Sequence, residues 1–227
     1  MEEKEQVQTT APESKNGEFS ATRHDLQWGR RLFHASQGFI LATAYWLLFS
    51  HNQIVSLMGF IACVLYLGEQ IRIHYPEYAQ RFTMLNRYLL RAEERIKESS
   101  AFPYAMAVLL TMITFPQTVA VASIYVLAIA DPLAAIVGIR FGKHKIVGNK
   151  TWEGSLVFFA ATFLCLLLVL LLKGVGSVEI AFGLSFVTAL LVGIFEVIPL
   201  RLDDNFTIPL FTAITFWFLG VMVGIHF

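Results

Sequence analysis

Long apolar blocks restrict this chain's fold more than any other feature of its sequence. One of them, residues 156–172, runs for seventeen residues without a charge. An α-helix crosses the hydrocarbon core of a bilayer in about 20 apolar residues and satisfies its backbone hydrogen bonds internally. Charged residues make up only 15% of the chain, whereas a soluble domain carries about 25%. The sequence therefore predicts an all-α integral membrane protein.

Seven apolar blocks predict about seven transmembrane helices. They cover residues 32–49, 54–67, 102–115, 118–139, 156–172, 181–200 and 206–227. The second and third are short for a bilayer, so we expect these helices to tilt or to extend into polar flanks. Residues 1–25 are polar and acidic and lack periodicity, which predicts a disordered tail. We expect residues 26–227 to form a single membrane-embedded domain.

Basic residues occur in alternate connections between these blocks. They precede the first block and fill the connections after the second, fourth and sixth, and only Lys173 lies on the other side. Cytoplasmic connections carry the excess of Lys and Arg in membrane proteins. We therefore expect a cytoplasmic N-terminus in a multi-pass protein of a bacterial inner membrane or an ER-type membrane. The net charge is zero, so nothing indicates a nucleic-acid partner.

The connection between the second and third blocks predicts an amphipathic helix. Within residues 72–100, apolar side chains recur at helical spacing and arginines surround them. A helix of this kind lies in the membrane interface, with its apolar face in lipid and its cations near the headgroups. We expect it on the cytoplasmic leaflet.

A polar stretch, residues 131–155, interrupts the apolar sequence. An acid inside a membrane segment is costly, and such acids are usually functional or paired. Asp131 is followed by Pro132, which has no N–H and so leaves a backbone carbonyl without its helical donor. Carboxylate and carbonyl oxygens suit Mg²⁺, which keeps several of its waters. This position, toward the inner end of the fourth block, is therefore a candidate magnesium site.

The remainder of this stretch supplies groups that bind phosphates. Lysines provide cations, glycines let backbone approach a ligand, and the start of the fifth block offers helix N-terminal amides to an anion. With Glu153 as a second carboxylate, these are the parts of a magnesium–polyphosphate site. Two other interpretations compete: Gly138 and Gly142 could form a small-residue contact between spans, and the lysines could be ordinary topological charges. A P-loop is excluded, because only three residues separate the two glycines.

Several motifs resemble one family. The central one is Asp131-x-x-Ala-x-x-x-Gly138-x-x-x-Gly142-Lys143, followed by Asn149-Lys150-Thr151-x-Glu153-Gly154-Ser155. Three more strings agree with it: Arg30-Arg31-Leu32-Phe33-His34, Arg91-Ala92-Glu93-Glu94 and Asp204-Asn205-Phe206-Thr207-Ile208-Pro209. Together they resemble the membrane-embedded CTP-dependent lipid kinases, which include dolichol kinase, phytol kinase and yeast-type diacylglycerol kinase. This group is related to the phosphatidate cytidylyltransferases.

The resemblance implies transfer of the γ-phosphate of CTP to the hydroxyl of a membrane lipid alcohol, with Mg²⁺ as cofactor and the active site on the cytoplasmic face. It implies catalytic roles for Asp131, Glu153 and Glu94, and metal binding by Asp131 and Asp204. The nucleotide-binding residues that it implies are Gly138, Gly142, Lys143, Lys150, Thr151, Gly154, Ser155 and Asn205. We expect three polar residues along the path of the lipid: Arg31, His34 and Glu196. Asp131, Glu94 and Asp204 are alternative acceptors for the proton of the lipid hydroxyl.

Two other functions fit parts of the sequence. A phosphatidate cytidylyltransferase would use the same magnesium–CTP pocket but attack the α-phosphorus; the His-Gly-Gly signature of the bacterial type is absent from the chain. An ion-coupled transporter would use Asp131 and Pro132 as a broken-helix coordination site, and it predicts acids near the bilayer midplane. The sequence leaves open the acceptor (dolichol or another polyprenol, phytol, or diacylglycerol) and the oligomeric state, a homodimer included.

Overall fold

The structure is a computed structural model that describes residues 28–75, 101–148, 150–200 and 202–227, with the backbone alone at residues 28–31 and 34. Every predicted apolar block is helical in it. Within the described ranges there is no β-strand, only an isolated bridge between Lys145 and Thr151. The prediction of an all-α protein is therefore confirmed. The predicted tail and most of the predicted amphipathic helix lie outside these ranges.

The helices follow the chain in a simple order. They are α1 (Trp28–Leu47), α2 (His51–His74), α3 (Ala101–Thr114), α4 (Gln117–Tyr125), a π-helical segment (Val126–Ala130), α5 (Asp131–Phe141), α6 (Trp152–Lys173), α7 (Val178–Val197) and α8 (Asp204–Met222). The helix α4, the π segment and α5 are continuous and form one long helix, Gln117–Phe141. Residues 72–74, the start of the predicted amphipathic helix, belong to α2 instead.

Five helices among the described residues are long and apolar enough to cross a membrane. They are α2, the continuous helix Gln117–Phe141, α6, α7 and α8. The helix α3 is apolar but shorter, and α1 is not one of the five. The chain is therefore a membrane protein with several spans. The count of seven and the cytoplasmic N-terminus stay predictions.

The helix α4 is the centre of the bundle. All of its residues from Thr118 to Ile124 are buried, and α1, α6 and α8 pack around it. Many large apolar side chains of α6 and α7 are instead exposed, as expected for faces that meet lipid. Pro132 explains the π segment, since it cannot donate to the carbonyl one turn earlier and the hydrogen-bond ladder widens before it. The widened turn ends at Asp131.

A cluster of polar contacts joins three helices at one end of the bundle. The ammonium of Lys173, the last residue of α6, donates to Gln117 Oε1 at 3.2 Å and lies 5.1 Å from the centre of the Trp46 ring. The Gln117 amide in turn donates to the Tyr45 carbonyl at 2.8 Å. These contacts connect the ends of α1, α4 and α6. The stretch 131–155 lies at the opposite end.

Glycines bring α5 and α6 into close contact. A Cβ on Gly154 would lie 2.9 Å from the Ala134 carbonyl and 3.2 Å from the Gly138 Cα. A Cβ on Gly142 would lie 2.6 Å from the Thr151 methyl group. The small-residue contact between spans, one of the interpretations drawn from the sequence, is therefore present in the structure.

Gly154→Ala should destabilise the protein by about 1–3 kcal/mol, because its methyl group would overlap backbone atoms of α5 that cannot rotate away. Gly183→Ala is the matched control: it also lies within an apolar helix, and no atom lies within 4 Å of its added Cβ. Thermal unfolding in detergent or nanodiscs measures both. Equal unfolding temperatures for the two variants would contradict the close packing of α5 on α6.

Candidate functional site

The ammonium of Lys150 joins carboxylates from separate helices. It donates a hydrogen bond to Glu196 Oε1 at the end of α7 and another to Asp204 Oδ2, at 3.3 Å, at the start of α8. Asp131, at the start of α5, also acts on it electrostatically. These three carboxylates and Lys150 are called the Lys150 cluster below. All four were predicted site residues on separate segments of the sequence, Glu196 as part of the lipid path, and the fold brings them together.

The charges of the cluster stabilise the lysine as a cation. Burial alone would lower the pKa of Lys150, but the charges of Asp204, Glu196 and Asp131, with the hydrogen bond to Glu196, outweigh it. The pKa of Lys150 is therefore raised above its ordinary value. The side chain therefore stays charged throughout the physiological range.

Glu196 is the member of the cluster that the sequence did not predict there. Its side chain is 6% exposed, whereas that of Asp204 is 52% exposed. Ser155, near the start of α6, donates to its second oxygen, Oε2, at 3.3 Å. We expected Glu196 along the lipid path, as an isolated polar residue in a span. Its position in the last turn of an apolar helix, eight residues before Asp204, is the signal that could have connected it with the other acids.

A folded loop carries Lys150 to this position. The Ile146 N–H donates to the Lys150 carbonyl at 2.9 Å, and the Lys150 N–H donates to the Val147 carbonyl at 3.0 Å. Gly148 has φ of +57°, a conformation that glycine adopts at little cost. Thr151 then caps α6 by accepting from the Gly154 N–H at 3.2 Å. Turn and cap together fix the lysine immediately before a helix N-terminus.

Other predicted residues have different partners. Glu153, a predicted catalytic carboxylate, accepts from the exposed His144 ring at 2.8 Å, and its described contacts do not include the Lys150 cluster. Lys143 is exposed on the loop. Asn205 donates its backbone N–H to Asp203 Oδ1 at 2.9 Å, which caps α8. Their catalytic and nucleotide-binding roles stay predictions.

The predicted glycines and the threonine are in contact with one another. Gly138, Gly142, Gly154 and Thr151 meet where α5 packs on α6, and this packing accounts for the small residues. Nucleotide binding by these four residues stays a prediction as well. The remaining calls, Glu94 and the side chains of Arg31 and His34, lie outside the described part of the structure.

The Lys150 cluster has the charge of a site for a divalent cation. Three carboxylates and one ammonium give a formal charge of −3 + 1 = −2. Across the described ranges no three His, Cys, Asp or Glu side chains are grouped to hold a metal by themselves. Mg²⁺ in nucleotide sites is commonly held by one or two carboxylates together with the phosphates of the substrate. Asp131 and Asp204, which both act on Lys150, are the predicted pair, and their role as metal ligands stays a prediction.

Several curated relatives of the chain are lipid kinases by name. The CTP-dependent diacylglycerol kinase 1 of Schizosaccharomyces pombe is 28% identical over 147 residues, which are 63% of this chain and 66% of that protein. That of Saccharomyces cerevisiae is 24% identical over 140 residues, 61% of this chain and 48% of that protein. The phytol kinase of Synechocystis is 32% identical over 104 residues, 41% of each chain.

These matches span about half to just under two thirds of the length of the two yeast proteins. No protein-family model matches the chain, and no solved structure matches it. The relatives agree with the family that the motifs of residues 131–155 and 204–209 resemble. The chain is therefore a membrane protein related to the CTP-dependent lipid kinases.

Proposed function

We propose that this protein transfers the γ-phosphate of CTP to the hydroxyl of a membrane lipid alcohol. The observation that carries the proposal is the Lys150 cluster, in which a cation and three carboxylates converge at one end of an apolar bundle. Phosphoryl transfer requires mainly positioning and charge stabilisation, and such a cluster supplies both. The names of the relatives point to the same donor and to lipid acceptors.

The helix ends around the cluster favour a polyphosphate. Both α6 and α8 begin beside it, and a helix N-terminus carries a partial positive charge. Lys150 would contact the phosphates, while Asp131 and Asp204 would hold Mg²⁺. When bound, Mg²⁺ neutralises charge on the phosphate oxygens. The positive-inside rule predicts that the end of the bundle with the Lys150 cluster faces the cytoplasm, where CTP is available.

The acceptor must approach from the bilayer. Diacylglycerol and phytol, the acceptors in the names of the relatives, both carry one hydroxyl on a long apolar tail. A site at the end of apolar helices suits that shape, with the tail in lipid and the hydroxyl beside the charges. A transporter would place its acids near the midplane. Glu196 and Asp204 lie at helix ends instead. Asp131 lies within the long helix Gln117–Phe141, but it acts on the same Lys150 as those two acids, which favours an enzyme.

The atoms transferred distinguish a kinase from a cytidylyltransferase. With purified protein, Mg²⁺ and either diacylglycerol or phytol, label on the γ-phosphate of CTP should enter the lipid and CDP should be released. Thin-layer chromatography of the lipid extract measures this. With phosphatidate, α-label should not enter the lipid. Incorporation of α-label would overturn the kinase proposal and favour the cytidylyltransferase.

Asp131→Asn should abolish transfer to the lipid while the protein inserts and purifies normally, because the change keeps the size of the side chain and removes a costly charge from a span. Glu179→Gln is the control, since Glu179 is an exposed acid at the opposite end of α7. Initial rates of phosphate transfer at saturating Mg²⁺ measure the activity of both variants. Full activity in Asp131→Asn would remove this carboxylate from the mechanism.

Lys150→Met should raise the KM for CTP by at least tenfold, because it removes the cation proposed to meet the phosphates. Lys145→Met removes an exposed cation of the same loop and should leave the KM unchanged. The KM of Lys150→Arg, which keeps the charge, should lie between those of the two methionine variants. Unfolding temperatures identify any general loss of structure. Equal effects of Lys150→Met and Lys145→Met on the KM would mean that the loop lysines are only topological.

A further inference from the structure

We infer that Glu196 accepts the proton of the lipid hydroxyl, an inference that rests on the proposed kinase function. Within the Lys150 cluster, Glu196 is far less exposed than Asp204, which faces the solvent from which CTP arrives. Glu196 ends an apolar helix, so it lies where the charged end of the bundle meets its apolar part. A lipid hydroxyl must reach that boundary.

An apolar ring lies in the same helical turn as Glu196. Phe195 precedes Glu196 and stacks on Phe211 of α8, with ring centres 3.9 Å apart and planes 8° from parallel. Both rings are only partly buried, so their remaining surface is open to an apolar group. These rings offer apolar surface at the same depth in the bundle as Glu196, and there we place the tail of the lipid alcohol.

The two oxygens of Glu196 have different partners. Oε1 accepts from the Lys150 ammonium, and Oε2 accepts from the Ser155 hydroxyl at 3.3 Å, near the upper limit for a hydrogen bond. A carboxylate oxygen can accept two hydrogen bonds. Oε2 therefore keeps the capacity to accept from a substrate hydroxyl. The hydrogen bonds from Lys150 and Ser155 fix the direction of the carboxylate.

The chemical step balances with these groups. The lipid O–H passes its proton to Glu196 Oε2 while its oxygen forms a bond to the γ-phosphorus. The bond between that phosphorus and the oxygen bridging to the β-phosphate breaks, and CDP leaves. The proton then passes from Glu196 to water. In phosphoryl transfer with a loose transition state the hydroxyl proton moves late, so a carboxylate of low basicity suffices, as the catalytic Asp does in protein kinases.

Glu196→Gln tests this role against a merely charge-organising one. The variant should lower kcat by about 10²–10⁴-fold, the usual contribution of a general base. It should bind CTP as tightly as the wild type or more tightly, because it removes a negative charge beside Lys150. Equilibrium dialysis with labelled CTP measures the affinity. Glu196→Asp, which keeps a carboxylate, should recover part of the rate, and Glu179→Gln on the same helix should match the wild type.

A second variant covers the case in which Glu196→Gln unfolds. Ser155→Ala leaves every charge in place and, by releasing Glu196 Oε2, should lower kcat several-fold. An effect confined to the KM for CTP, with kcat unchanged, would overturn the inference. Weaker CTP binding or a raised Mg²⁺ requirement in Glu196→Gln would overturn the inference, as would an unchanged kcat. Absence of transfer by the wild type to any lipid alcohol would reject the proposed function itself, which is a separate outcome.

Discussion

The ion pairs of one ammonium group connect the parts of this protein to which we assign its chemistry. Lys150 contacts Glu196 and Asp204, and Asp131 stabilises it as a cation. This one side chain therefore connects the starts of α5 and α8 with the end of α7. A buried carboxylate without a partner is costly in an apolar bundle. The position of Glu196 therefore depends on Lys150, and the position of Lys150 depends on the loop that carries it.

The backbone around the cluster is shaped to permit these contacts. Pro132 and the π segment interrupt the central helix where Asp131 stands, and glycines allow α5 and α6 to pack closely enough for the loop between them to fold back. The positive φ of Gly148 and the cap at Thr151 then fix the residue between them. The motif of residues 131–155 thus specifies a local fold as much as a set of ligands, which is why several of its residues contact one another.

Much of this arrangement could be predicted from the sequence. The rest could not, for identifiable physical reasons. Block length and hydropathy predict the helices, because a membrane admits few alternatives to a helix. Motif resemblance predicts Asp131, Lys150 and Asp204, whose convergence the structure shows. It does not predict that Glu196 pairs with Lys150 or that Glu153 pairs with His144, because spacing along the chain does not determine which acid meets which cation across helices.

The central claim is that CTP binds at the Lys150 cluster, and protection of a thiol placed there tests it most directly. Ser155→Cys is nearly isosteric, and it can be made in a chain whose Cys63 and Cys165 are replaced by alanine. Ser177→Cys, at the opposite end of the bundle, is the matched control. With Mg²⁺ present, CTP should slow modification of the thiol at position 155 by at least tenfold and leave that at position 177 unchanged. An unchanged rate at position 155 under saturating CTP would contradict the claim.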